Sequence, residues 1–188
     1  MNVTVPMLKA IPTGFDGLFL FQPRIFTDDR GAFLKTFNTE LFNGFGIEFE
    51  PQEEFFSLSA KNILRGMHFQ LPPAAHAKLV YCVAGRVLDV VVDLRNNSKT
   101  FGRAFSRELN ASNCELLFIS KGFAHGFLAL EDNSLMIYKT DTVYSPAQDA
   151  GILWNSFGFD WPMKNPILSA RDKSFPSLHE FQSPFLMT

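Results

Sequence analysis

Between Glu53 and Thr142, short apolar and β-branched runs recur at nearly even spacing, separated by clusters of turn-forming residues. Lys78 to Val83 and Val87 to Leu94 are two such runs, split by Gly85-Arg86, which reads as a hairpin turn. Phe101 to Leu109, Glu115 to Ile119, Phe123 to Leu130 and Leu135 to Thr142 follow. Asn110-Ala111-Ser112-Asn113, Ser120-Lys121-Gly122 and Glu131-Asp132-Asn133-Ser134 join them with residues that favour tight turns. Upstream, Gly14 to Phe26 reads as a strand region closed by Asp28-Asp29-Arg30-Gly31, and Ala32 to Phe37 resumes the strand. One early helix is expected over Thr39–Asn43, capped by Thr39 and ended by Gly44. The pattern predicts a mainly β protein, an antiparallel barrel or double-sheet jelly roll with a few short helices.

Several strands are apolar at consecutive positions rather than alternating. Val87-Leu88-Asp89-Val90-Val91-Val92 has few polar residues on either face. Antiparallel strands of that kind need cover on both sides, one supplied by the core and the other by a second sheet or another subunit. A homodimer is therefore expected. The sequence holds no repeat, low-complexity tract or Gly/Ser linker, so one domain over 1–188 is expected, with its core at about 15–180. The tail from Glu180 to Thr188 is expected to be loosely packed.

Composition narrows the function. The 22 phenylalanines favour half-buried pleated surfaces and reinforce the reading as sheet. The formal charge of −2 gives no reason to expect nucleic acid or an anionic membrane as partner. No apolar run nears the ~20 residues of a membrane span and no leader-like segment opens the chain, so a cytoplasmic protein is expected. Cys82 and Cys114, each in an apolar setting, read as buried reduced thiols.

Candidate chemistry centres on two histidines at strand ends, in Arg65-Gly66-Met67-His68-Phe69-Gln70 and Gly122-Phe123-Ala124-His125-Gly126-Phe127. Tyr138 and Asp172 lie downstream. A base, a hydroxyl donor and a carboxylate that orients the base form a set for proton transfer.

The chain resembles the dTDP-4-dehydrorhamnose 3,5-epimerases, metal-free cupin-like barrels of deoxysugar biosynthesis. The matching stretches include Asp29-Arg30-Gly31, Leu64 to Gln70, Lys78-Leu79-Val80, Asp89 to Arg95 and Ser98 to Gly102. Gly122 to Leu128, Tyr138, Tyr144-Ser145-Pro146, Asp160-Trp161-Pro162 and Leu168 to Asp172 continue them, in family order. The resemblance implies epimerisation next to the C4 ketone of a nucleotide-linked 4-keto-6-deoxyhexose, with no cofactor and no metal. It implies that His68 is the base, Asp172 its carboxylate partner, Lys78 the cation beside the ketone oxygen and Tyr138 the proton donor, with Tyr144 as the fallback donor. It places Arg30, Arg65 and His125 around the diphosphate and nucleotide, and Asp149 and Arg171 among the substrate-binding residues. Arginine suits phosphate because its planar fork makes paired charge-assisted bonds.

Two departures bear on recognition. A Gln-x-Asn element common in the family falls here on Glu53 and Phe55, and the glutamate usual after Arg30-Gly31 is Lys35. A phenyl ring cannot replace an amide's hydrogen bonds. Retained chemistry on an altered nucleotide or sugar is the expectation. Two alternatives stay open: a non-catalytic nucleotide-sugar-binding module, and a metal-dependent cupin using His68, His76 and His125. Against the second, His76 in Leu71-Pro72-Pro73-Ala74-Ala75-His76 reads as part of an exposed loop.

Overall fold

The structure, a computed structural model, describes residues 6–187. Two antiparallel sheets face each other. The first contains, in spatial order, β1 (Leu8–Ile11), β2 (Leu18–Pro23), β10 (Leu116–Ile119), β7 (Lys78–Ala84), β12 (Ser134–Thr140) and β5 (Glu53–Ser59). The second contains β13 (Asp149–Gly151), β6 (Leu64–Gln70), β11 (Phe123–Ala129), β8 (Arg86–Asp93) and β9 (Ala104–Asn110). A separate hairpin pairs β3 (Phe26–Asp28) with β4 (Gly31–Phe33). The expected double-sheet antiparallel architecture is the one observed.

Side-chain alternation explains the layering. Leu20, Val80, Leu117 and Met136 from the first sheet meet Val87, Val91 and Phe127 from the second in a central core. The intervening residues point outward, and each outer face has its own cover. Phe21, Leu79, Tyr81 and Phe118 pack beneath Phe42, Ile47 and Phe49, which belong to helix α1 (Thr39–Asn43) and the loop after it. Val90, Val92 and Leu128 pack beneath Ile152, Trp161 and Phe185 from the C-terminal segment. The second cover that β8 demanded is thus the chain's own C-terminal third, so this strand gives no reason for a dimer.

Other expectations are corrected. Asn38, not Thr39, caps α1: its side-chain oxygen accepts the Leu41 N–H at 3.0 Å. The strand expected over Ala32 to Phe37 ends at Phe33, and Phe101 lies in the turn before β9. Strands β1 and β13 and the four-residue helix α2 (Ala170–Lys173) are too short to leave a periodic signal. The tail is not loose: Phe185 is buried, its carbonyl accepts the Asn96 N–H at 3.0 Å, and Asn97 Nδ2 donates to the Met187 carbonyl at 3.1 Å. Both cysteines are free, but only Cys82 is buried; Cys114 sits half-buried in a turn with φ 51°.

The seam between β6 and β11 matters most for the site. His68 pairs with His125, whereas Arg65 pairs with Phe127, so the register slips by one residue between them. Leu64, Met67 and Phe69 consequently face outward, while Arg65, His68 and Gln70 face the space between the sheets. Regular alternation would put Arg65 and His68, three residues apart, on opposite faces. The slip occurs where two glycines touch. A Cβ on Gly66 (φ +144°) would lie 2.6 Å from the Gly126 Cα, and one on Gly126 would lie 2.7 Å from the Arg65 carbonyl oxygen. Gly66→Ala is expected to cost roughly 2–5 kcal/mol, combining overpacking with a strained backbone. Urea denaturation measures it, and an unchanged midpoint would show that the seam opens freely.

Candidate active site

A cavity of about 290 Å³ opens between the two sheets. It is lined by Arg65, His68 and Gln70 of β6, His125 of β11, Lys78 of β7, Tyr138 of β12, and Phe55 and Ser57 of β5, with His76 and Tyr144 from loops, Asp149 of β13 and Arg171 of α2.

His68 Nε2 lies 2.8 Å from Asp172 Oδ1. Asp172 arrives from α2, whose first turn Ser169 caps by accepting the Asp172 N–H. A parallel bridge from Ile167 to Ile63 fixes this segment beside β6. Burial pushes the Asp172 carboxyl up, but its bonds from His68 and the Gly66 N–H outweigh that and leave it below the usual carboxylate range. An ionised Asp172 accepts a hydrogen bond from Nε2–H, which leaves the Nδ1 lone pair of a neutral His68 as the basic atom. Burial, joined by the charges of Arg171 and Lys78, lowers the His68 pKa against the pull of Asp172 and favours that neutral form.

Lys78 is buried, and its ammonium donates to the His68 carbonyl at 3.1 Å. Burial pushes its pKa down to about 8, against the pull of Asp89 and Asp149. The Tyr138 hydroxyl lies 3.2 Å from Ser57 Oγ. Burial holds the phenol well above its ordinary pKa, so it carries its proton throughout the neutral range. His125 makes a second imidazole–carboxylate pair, Nε2 to Asp89 Oδ2 at 2.8 Å. Both members are buried, and burial drives the Asp89 carboxyl upward against the pull of His125.

On the rim, Arg171 pairs with Asp149 at 3.0 Å, and the Tyr144 hydroxyl donates to the same carboxylate at 3.4 Å. Arg65 donates from Nε to Ser59 Oγ at 3.0 Å. Glu53 does not line the cavity; it accepts the Tyr144 N–H at 2.9 Å and so anchors that loop. Arg30 and Lys35 are not brought there either. Arg30 lies exposed on the β3–β4 hairpin, paired with Asp28 at 2.6 Å, and Lys35 is exposed beyond β4.

Two residues at the site, Ser57 and Gln70, went unread, and a third, His76, is buried where exposure was expected. His76 sits in a loop as expected, but its ring turns inward, and both ring nitrogens are buried without a hydrogen-bond partner. Burial and the nearby Lys78 push its pKa down to about 2, so it is a neutral wall of the cavity. Its place two residues before Lys78, on the same side of an extended chain, was the available signal. Ser57 and Gln70 offered none stronger than strand alternation. Among the described residues, no cluster of three or more His, Cys, Asp or Glu is spaced to hold a metal ion.

The sequence profile of dTDP-4-dehydrorhamnose 3,5-epimerases matches residues 12–180. The chain belongs to this family. The epimerase of Shigella flexneri is 43% identical over 168 residues, covering 88% of this chain and 93% of that relative. The epimerase of Methanothermobacter thermautotrophicus is 39% identical over 177 residues, covering 92% and 95%. Among solved structures, the Legionella pneumophila epimerase in complex with dTDP-4-keto-L-rhamnose superposes with a TM-score of 0.91 at 32% identity, covering 96% of this chain and 100% of that one. The Bacillus anthracis epimerase, with TDP and pyrophosphate bound, gives 0.88 at 39% identity, covering 90% and 99%. As a dTDP-4-dehydrorhamnose 3,5-epimerase family member, this chain is an isomerase.

For a family that moves a proton α to a ketone, the charges set a pH profile. A neutral His68 with a lowered pKa stays basic to below the ordinary 6.5, and Lys78 keeps its charge only up to about 8. The expected kcat/KM is a bell with an acid limb below 6.5 and an alkaline limb near 8. Initial rates from about pH 5 to about pH 10 test it, and an alkaline limb at the ordinary lysine value would show that Lys78 is not the charged group required.

Proposed function

We propose that this chain is a cofactor-independent epimerase of a nucleotide-linked 4-keto-6-deoxyhexose, with the dTDP sugar as substrate. One observation carries the reading: the base and the donor belong to opposite sheets. His68 stands on β6 of the second sheet and Tyr138 on β12 of the first, with the cavity between them. A ring held there meets a base on one face and a hydroxyl on the other, which is what inversion of a carbon requires. His68 Nδ1 takes the α proton, Lys78 stabilises the enolate oxygen that forms, and Tyr138 returns a proton to carbon from the opposite face. Asp172 stabilises the resulting imidazolium. Arg65, His125 and Arg171 bind the anionic diphosphate side of the substrate, and Tyr144 and Asp149 shape the rim. The cavity suits a hexose ring and leaves the nucleotide at the mouth.

The dTDP assignment draws on the relatives, whose structures hold TDP and dTDP-4-keto-L-rhamnose. Lys35, one of two reasons to expect a different nucleotide, lies outside the cavity of its own chain. The test is proton NMR in D₂O with 4-keto-6-deoxyglucose carried on dTDP, CDP or GDP. Loss of the C3 and C5 proton signals on the dTDP sugar is expected. Loss only with CDP or GDP overturns the nucleotide, and no loss with any of them overturns the epimerase reading in favour of a binding module.

A cytoplasmic homodimer completes the reading. No helix among the described residues is long and apolar enough to cross a membrane. Strand β5 is an unpaired sheet edge that exposes Phe56 (65%) and Leu58 (53%), and the β3–β4 hairpin exposes Phe26 and Phe33. Apolar edges of this kind favour cover by a second copy. A monomeric mass in light scattering at micromolar concentration overturns the dimer.

A further inference from the structure

Tyr138 is held from three directions. Ser57 bonds its hydroxyl, His125 meets its ring edge-on at 6.1 Å, and Phe55 stacks on its face with centroids 4.7 Å apart and planes 10° from parallel. Phe55 is the direct cross-strand partner of Tyr138 in the β5–β12 ladder. It is 45% exposed, an unusual investment of apolar surface unless the ring has a task at the cavity wall. An amide, common in the family at this position, has no aromatic ring to offer a phenol.

We propose that Phe55 is the positioning residue for proton return, and that its stack on Tyr138 sets how often an enolate is inverted rather than restored. The inference rests on Tyr138 as the donor. Once His68 has taken the α proton, the enolate has two fates. His68 hands back a proton, exchanged with solvent, on the face it came from, and the centre is unchanged. Alternatively, Tyr138 delivers its hydroxyl proton to the opposite face, and the centre inverts. The first path needs nothing from β12. The second needs the phenol oxygen within bonding reach of carbon, and such geometry is lost steeply with small displacements. A phenol free to swing would lengthen the enolate's life and favour the first path.

The measurement is the ratio of inversion to solvent exchange, from deuterium incorporation and product formation in the same D₂O reaction. Phe55→Ser is expected to lower that ratio about three- to tenfold, the factor that corresponds to losing one aromatic pair. Phe55→Tyr, which keeps the stack, is expected to restore it. Phe55→Leu, apolar but without an aromatic face, gives the same reading as serine and covers failure of the serine variant to fold. A generally damaged fold lowers exchange and inversion in step, so an unchanged ratio in Phe55→Ser or Phe55→Leu overturns the inference. Tyr138→Phe run beside them separates the two levels. If it stops inversion while the Phe55 variants keep the wild-type ratio, the donor reading survives and the inference fails. If it leaves inversion intact, the donor reading fails and takes the inference with it.

Discussion

Replacing His68 with alanine is expected to lower both α-proton exchange and inversion by about 10²–10⁴-fold, the range general-base catalysis supplies. Both fall together because removal of the proton precedes every later fate of the enolate. The other two imidazoles of the cavity do not substitute: His125 holds Asp89 at 2.8 Å, and the loop imidazole of His76 has both nitrogens buried. The alanine variant also leaves Asp172 with an unfilled oxygen in a buried setting, which costs stability on its own. His68→Asn separates the two effects, since its amide still donates to the carboxylate but has no basic nitrogen. Asp172→Asn is the complementary test. It keeps the imidazole but removes the charge that fixes its tautomer, a change that costs about 10⁴-fold in the serine protease triad. Exchange at the wild-type rate in His68→Asn would remove His68 from the mechanism.

Tyr138→Phe is expected to divide what His68→Ala abolishes together. Inversion should fall by about 10²–10⁴-fold, the contribution of a positioned general acid, while exchange of the α proton stays measurable. The variant keeps the ring, the stack on Phe55 and the strand register; it removes only the hydroxyl and leaves Ser57 Oγ without that partner. Since Ser57 reaches the cavity, water replaces the lost bond and the stability cost is small. The observable is a substrate that gains deuterium yet keeps its configuration. Loss of exchange as well would assign Tyr138 to binding, and retained inversion would pass the donor role to Tyr144, whose hydroxyl lies at the rim on Asp149.

The strand-and-turn pattern carried the architecture because each strand of the central sheets spends one face in the core. It failed where that link weakens. Strand β13 has three residues and α2 four, so neither completes a period that could be recognised. The tail carries no periodic signal, yet Phe185 packs beneath the second sheet and bonds from Asn96 and Asn97 fasten it there. At the site, His68, Lys78, His125, Tyr138 and Asp172 were legible because their neighbours form distinctive motifs, and the fold does bring them together. His76 was misread because two prolines and two alanines suggest an exposed loop, whereas burial is decided by what packs across from it. Arg30 and Lys35 belong to matching segments, and the β3–β4 region places them outside the cavity of their own chain. Some matched residues prove structural. Asp93 is fully buried under bonds from Arg95, Ser98 and Thr100, a knot that closes the β8–β9 connection.

The seam where Gly66 meets Gly126 places the phosphate-side arginine and the base by main-chain contact, with no side chain free to adjust. Strand β5 is the opposite: an outer edge whose inward residues, Phe55 and Ser57, can be exchanged without disturbing a neighbour on the far side. Laboratory evolution toward new sugars should therefore spare the glycine seam and randomise the edge. Variants at the β6 seam will be lost at folding, while those in β5 will fold and reach selection, where they show themselves in how the proton is returned.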